Sequence, residues 1–206
     1  SATAVAQMQE RTYTPITDVL NGQPQRNLTY SARANYGYKD RYFIEGSFGY
    51  NGSERFAPKN RFGFFPACGG AWVASNEPWM KKAENWLNYL KFRVSYGKVG
   101  NDGIVSTPRF VFLPTIKEVG AGNDPQANSG GSFMRKVMAS YANENIQWEI
   151  AEQSNLGIEA KFFKGLVELQ ADFYRELRHN IISTRTTIPA SMGIERDPLA
   201  NIGKTL

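Results

Sequence analysis

Between Asn27 and Tyr50 two runs of alternating polarity are joined by the pair Lys39-Asp40, a pattern that few architectures accept. In the first run Leu28, Tyr30, Ala32, Ala34, Tyr36 and Tyr38 share one parity, and Thr29, Ser31, Arg33, Asn35 and Gly37 share the other. The second run sets Tyr42, Ile44, Gly46, Phe48 and Tyr50 against Arg41, Glu45, Ser47 and Gly49, with Phe43 intruding on the polar side. A period of two puts alternate side chains on opposite faces of a β-strand. Each strand is about ten residues long and has tyrosines at its ends, which suits a strand that crosses a bilayer, apolar toward lipid and polar toward an interior.

Composition agrees. Aromatic residues make up 13% of the 206 positions and glycines number 19, which favours many strands and turns over a helical bundle. Mean hydropathy is −0.45 and no apolar run approaches the ~18 residues of a membrane-spanning helix. In a barrel that dilution is expected, because polar interior residues alternate with apolar outer ones. The net charge of +5 comes from basic residues scattered along strands and turns, not from a stripe that would hold nucleic acid. Cys68 is the sole cysteine and His179 the sole histidine, so neither an intrachain disulfide nor a zinc site is expected, and no cofactor is implied.

The pattern continues along the chain. Residues 1 to 26 are polar, lack a sustained period and read as a loop or tail; residues 27 to 206 read as one partial barrel domain. A third strand is expected over roughly 61 to 74, weakened by Pro66 and Gly69-Gly70. Asn76-Glu77-Pro78 predicts a short helix near 77 to 84. Leu90, Phe92, Val94 and Tyr96 alternate with Lys91, Arg93, Ser95 and Gly97 in a fourth strand. A long outer loop then spans 99 to 147, of a length that is functional or disordered. A hairpin follows, from about Trp148 to Phe162 and from Val167 to Phe173, turning at Lys164-Gly165. Short and long connections nearly alternate, as in outer-membrane barrels with short periplasmic turns and long outer loops. The fold class is therefore all-β, an antiparallel up-and-down meander. Six strands are too few to close a membrane barrel, which needs about eight, so the chain is expected to be part of one.

Several ordered motifs then point to a family. Tyr36-Gly37-Tyr38-Lys39-Asp40-Arg41-Tyr42 is followed by Asn51-Gly52-Ser53-Glu54-Arg55-Phe56, Phe65-Pro66, Trp72 and Glu77-Pro78-Trp79-Met80. Next come Leu90 to Asn101 (LKFRVSYGKVGN), Trp148-Glu149, Asn155-Leu156-Gly157-Ile158-Glu159, Tyr174 and Pro189 to Gly193. In this order they resemble the SusC/RagA-like, TonB-linked outer-membrane proteins of the Bacteroidota, with Asn51 and Glu54 standing where that family has an Asp and a Ser. The resemblance covers roughly 27 to 206, the later part of a barrel, without the plug domain, TonB-contacting box or signal sequence of such proteins. It implies a barrel of about 22 strands in outer-membrane lipid, importing glycan or peptide fragments. It also implies a SusD-like surface lipoprotein as partner and energy from TonB through the plug.

A transporter wall needs no catalytic residue, and no nucleophile, zinc or phosphate-loop motif is present. Arg33, Asn35, Glu45, Arg93, Glu159, Glu168 and Asp172 fall on the polar parity and are candidates to bond a plug or a passing oligosaccharide; the simpler reading is that they solvate an interior. The loop aromatics Phe110, Phe112 and Tyr141 are candidates for substrate contact. Trp72, Trp79, Trp86 and Trp148 are expected as interface anchors. The competing architecture is a soluble β-sandwich, a carbohydrate-binding or adhesin module. It demands a second sheet packed on the apolar face.

Overall fold

The computed structural model describes residues 1–12, 23–103, 110, 112–120, 134–187 and 198–206. The strands are β1 Ala2–Arg11, β2 Gln25–Tyr38, β3 Tyr42–Ser53, β4 Phe62–Val73, β5 Leu87–Asn101, β6 Thr115–Gly120, β7 Met134–Ser140, β8 Glu149–Phe162, β9 Val167–Thr184 and β10 Leu199–Thr205. Eight of them form one antiparallel meander, β1-β2-β3-β4-β5-β8-β9-β10, and β6 pairs with β7 in a separate ribbon. Among the described residues β1 and β10 pair on one side only, so the sheet is a sector with two edges.

Register follows from the turns. Lys39 and Asp40 both adopt positive φ, 51° and 52°, the type I′ geometry whose twist matches a hairpin, and the pairing is then unbroken from Tyr38↔Tyr42 to Asn27↔Ser53. Directly opposed residues share a face. One outer row therefore runs Tyr36, Ile44, Gly70, Val94, Leu156 and Phe173 across six strands. The row beside it, toward the short turns, runs Tyr38, Tyr42, Trp72, Phe92, Ile158 and Ala171. These side chains are apolar and many are exposed, Tyr36 to 66%, Ile44 to 65% and Phe173 to 64%. Among the described residues no second sheet covers them, which disfavours the sandwich alternative. Strands of 12 to 18 residues in β2–β5, β8 and β9 exceed the ~9–11 needed to cross a bilayer, so each projects beyond it. On the long-loop side the apolar band runs past Tyr30, Tyr50 and Phe64 to Leu28, Gly52 and Phe62 on β2–β4. On β5 and β8 it ends where Lys98 pairs with Glu152 at 2.9 Å.

Several expectations need correction. Residues 2 to 11, read as loop or tail, form β1 in register with β2 from Ala2↔Ala34 to Arg11↔Gln25. The 99 to 147 loop is not structureless: β5 continues to Asn101, and the β6–β7 ribbon lies within it. β9 extends to Thr184 and is followed by β10, so the sector has eight strands, not six. The 77 to 84 helix is a pair of 3₁₀ turns, Ala74–Asn76 and Met80–Ala83. Glu77, held extended at ψ 142° as the residue before Pro78, separates them. The Pro189 to Gly193 turn and residues 121 to 131 lie outside the described residues.

At the short-turn end, Glu77 ties this connection to the β2–β3 hairpin. Its carboxylate accepts from Tyr42 Oη at 2.6 Å, from Trp72 Nε1 at 3.4 Å and from Arg41 at 3.4 Å. The Tyr42 hydroxyl, seconded by Trp72 and Arg41, holds this carboxyl below its ordinary value of 4.5 against the opposing effect of burial. A lowered folded pKa gives stabilisation that is complete above the ordinary value and is lost as pH falls through the lowered one. Hydrogen exchange of the 74–86 amides in the intact protein, corrected for intrinsic rates, should show protection that is flat above pH 4.5 and declines below it. In Glu77→Gln protection should be lower throughout and lack this acid limb.

Candidate transport surface on the inner wall

The face opposite the apolar band is polar, and its charged groups neutralise one another. Arg33 on β2 meets Glu45 on β3 at 2.6 Å. Arg93 on β5 reaches Glu159 on β8 at 3.2 Å and Asp172 on β9 at 2.7 Å, and Lys91 stands 3.9 Å from Glu159. Lys161 and Glu168 pair at 2.7 Å. Asn35 lies opposite Glu45, and its amide oxygen accepts from Ser1 Oγ at 2.6 Å. All seven polar-parity candidates thus sit on this face. The structure joins Arg93, Glu159 and Asp172 in one cluster, Arg33 and Glu45 in a second, and leaves Glu168 with Lys161.

Gly157 makes the larger cluster possible. It stands between Arg93 and Asp172 in the register, and the arginine crosses directly over it. A Cβ on Gly157 would lie 2.2 Å from Arg93 Nε and 2.8 Å from Asp172 Oδ1, so the glycine serves close approach of a side chain.

The next inner row toward the long loops runs Asn35, Glu45, Gly69, Ser95, Asn155 and Tyr174 across six strands. With Ser47, Ala67, Gly97 and Gln153 it encloses a trough of about 430 Å³ whose floor is made of small residues. Sequence reading singled out neither Asn155 nor Ser95 as site residues. Tyr174 entered only as a family motif, although its polar parity beside Asp172 and Glu176 marked it as an inward-facing aromatic.

The long-loop rim is packed, not open. Phe56, Phe65, Ile146 and Trp148 form a buried cluster with Ile182 and Leu199 against it. Trp148, expected as an interface anchor, is only 8% exposed because Phe56 packs on it tilted and Phe65 edge-on, with ring centroids at 5.2 and 5.3 Å. The other tryptophans lie at the short-turn end, with Trp72 against Phe92 and Trp79, and Trp86 against Phe162. Asn60 Nδ2 donates to the carbonyls of Glu144 and Ile146, and Gln147 exchanges hydrogen bonds with Asn201. Tyr141 is half-buried just before this rim. Phe110 and Phe112 pack edge-on at 6.3 Å in the long connection, and neither lines the trough.

Comparison with known proteins places these features. A family model described as "TonB dependent receptor-like, beta-barrel" matches residues 6–206. TonB-dependent receptor P3 of Formosa agariphila is 28% identical over 84% of this chain and 16% of its own length. TonB-dependent receptor SusC of Bacteroides thetaiotaomicron is 27% identical over 85% and 17%. The chain thus spans about a sixth of the length of these relatives. Among solved structures, the RagAB peptide importer in its closed-closed state superposes with a TM-score of 0.71 at 24% identity, covering 88% of this chain and 18% of that one. The siderophore receptor PirA of Pseudomonas aeruginosa shares the fold at 0.54, with 11% identity, 98% and 37%. A sheet apolar outside and charge-paired inside, matched along nearly its whole length, makes this chain a member of the TonB-dependent receptor-like β-barrel family, in its SusC/RagA-like group of outer-membrane proteins.

Proposed function

We propose that the chain is a sector of the barrel wall of a transporter that imports glycan or peptide fragments across the outer membrane. TonB drives it through a plug domain, and a SusD-like lipoprotein covers its outer mouth. The observation that carries this reading is the two-faced sheet: an uninterrupted apolar row from Tyr36 to Phe173 toward lipid, backed by a charge-neutralised inner face. A TonB-dependent receptor named SusC and a peptide importer, RagAB, are among its similar proteins, which supports a role in import. Nothing in this role needs an enzyme; the inner residues bind and release without making or breaking a covalent bond. Their part is to present hydrogen-bonding groups to plug and cargo, and the part of Phe110, Phe112 and Tyr141 is to meet cargo at the mouth.

Deletion of the whole gene in the source organism tests the reading. Uptake of fluorescent oligosaccharides or oligopeptides should fall to background, and collapse of the proton gradient should stop uptake in wild-type cells. A tagged protein purified from outer membranes should bring a surface lipoprotein with it. Unchanged uptake of both cargo classes in the deletion strain would overturn the proposal.

A further inference from the structure

The trough on the inner wall has the chemistry of a carbohydrate site. Tyr174 is 63% exposed on a mostly polar face. Its hydroxyl donates to Glu176, which also accepts from Gln153 Nε2 at 3.1 Å, so the ring is held while its face stays open. Asn155, its neighbour in the row, also lines the trough and adds a side-chain amide beside the ring. Ser95 and Ser47 add hydroxyls on the small-residue floor. Glu45 closes the far end, with its Oε2 held by Arg33. From Glu45 to Tyr174 the row crosses four interstrand spacings of ~4.8 Å, or roughly 19 Å, the reach of a short chain of sugar rings.

We infer that this trough is a wall subsite for a neutral oligosaccharide: one pyranose face lies on Tyr174, and sugar hydroxyls bond Asn155, Gln153, Ser95 and Glu45. An aromatic face beside a few placed amides and hydroxyls recognises a ring that is apolar on its faces and polar around its rim. A peptide fits less well. Its charged side chains and termini seek counter-charges, but Arg33, Arg93, Glu159 and Asp172 are already paired with one another. Nor is there a free strand edge here, since β3, β4, β5, β8 and β9 each pair on both sides.

The inference rests on the transporter reading, and one experiment in intact cells separates the two. Wild type, the deletion strain, Tyr174→Ala, Tyr174→Phe and Ser95→Leu are compared for uptake of labelled neutral glucan, mannan and galactan oligosaccharides and of labelled oligopeptides. Surface abundance of each variant is measured by cell-surface labelling and used to normalise uptake. Tyr174→Ala, which removes the platform, and Ser95→Leu, which fills the trough, should each lower oligosaccharide uptake about five- to tenfold, the worth of one stacking contact. Tyr174→Phe keeps the ring face and should stay near wild type. Oligosaccharide uptake unchanged in both disruptive variants overturns the subsite, as does wild-type uptake of peptides alone. Equal losses for both cargoes overturn it too, because the trough would then seat the plug. Equal uptake by wild type and the deletion strain removes the transporter reading itself.

Discussion

Replacing Trp148 with alanine in the intact protein is expected to destabilise the long-loop rim by about 3–5 kcal/mol, the cost of truncating a buried aromatic. The indole is 8% exposed and is packed between Phe56, which is fully buried, and Phe65. It has little room to be replaced by collapse, since Phe65 is seated on Gly63 and Gly100. A Cβ at Gly100 would lie 1.9 Å from Phe65 Cζ. Trp148 Nε1 also donates to the Arg61 carbonyl at 3.3 Å, a bond that alanine removes, while the Ser53 N–H still donates to that oxygen at 3.0 Å. Amide exchange in 54–61 and 141–148 should speed up by roughly 10²-fold or more, while amides in the middle of β3 and β8 stay protected. Trp148→Phe keeps ring contact and loses the donor, so its effect should be near 1 kcal/mol. If alanine and phenylalanine behave alike, the rim is not held by this packing. Gly100→Ala should loosen the same segments from the other side, by displacing Phe65.

How much of this was readable beforehand depends on what each residue's partner is. The β2–β3 hairpin was legible because alternation and the Lys39-Asp40 turn are both local, and together they fix the pairing. β1 was not. Its inward Thr3, Gln7, Gln9 and Arg11 do alternate with outward Ala2, Ala4, Ala6 and Met8, but Val5 and Glu10 each break a parity and the alanines carry little apolar signal. β10 was hidden for a related reason: its pairing with β9 slips at Asn201/Gly203 and again at Gly203/Thr205, which breaks a strict period. At the site, parity told which side chains face inward but not which become neighbours. Ser95 and Asn155 lie opposite one another only because β5 pairs with β8 across the intervening 102–148 connection, and no turn sequence encodes that register. Trp148 was misplaced by the same gap, because its partners Phe56 and Phe65 come from a hairpin far earlier in the chain.

The second large effect is expected at Gly157, where valine should destabilise the barrel by about 1–3 kcal/mol, the usual penalty of overpacking. The cause is steric before it is electrostatic. With Cβ 2.2 Å from Arg93 Nε and 2.6 Å from its Cγ, the arginine must leave the path that carries it over β8 to Asp172. The displaced guanidinium then faces the inner wall without the acid that neutralised it. Asp172→Asn separates the two contributions, since it removes the charge pair and keeps the path open. Both partners are more than a third exposed, so that loss should be at most about 1 kcal/mol. Denaturant midpoints of the two variants in lipid therefore decide the matter. A valine effect well above the asparagine effect shows that the glycine is required as a crossing point for Arg93. Equal effects would mean that the ion pair alone sets the value of this row. A Gly157→Val, Arg93→Ala double variant sharpens the comparison: with the long side chain gone, valine meets only the Asp172 carboxylate, 2.8 Å from its Cβ, and most of its penalty should disappear.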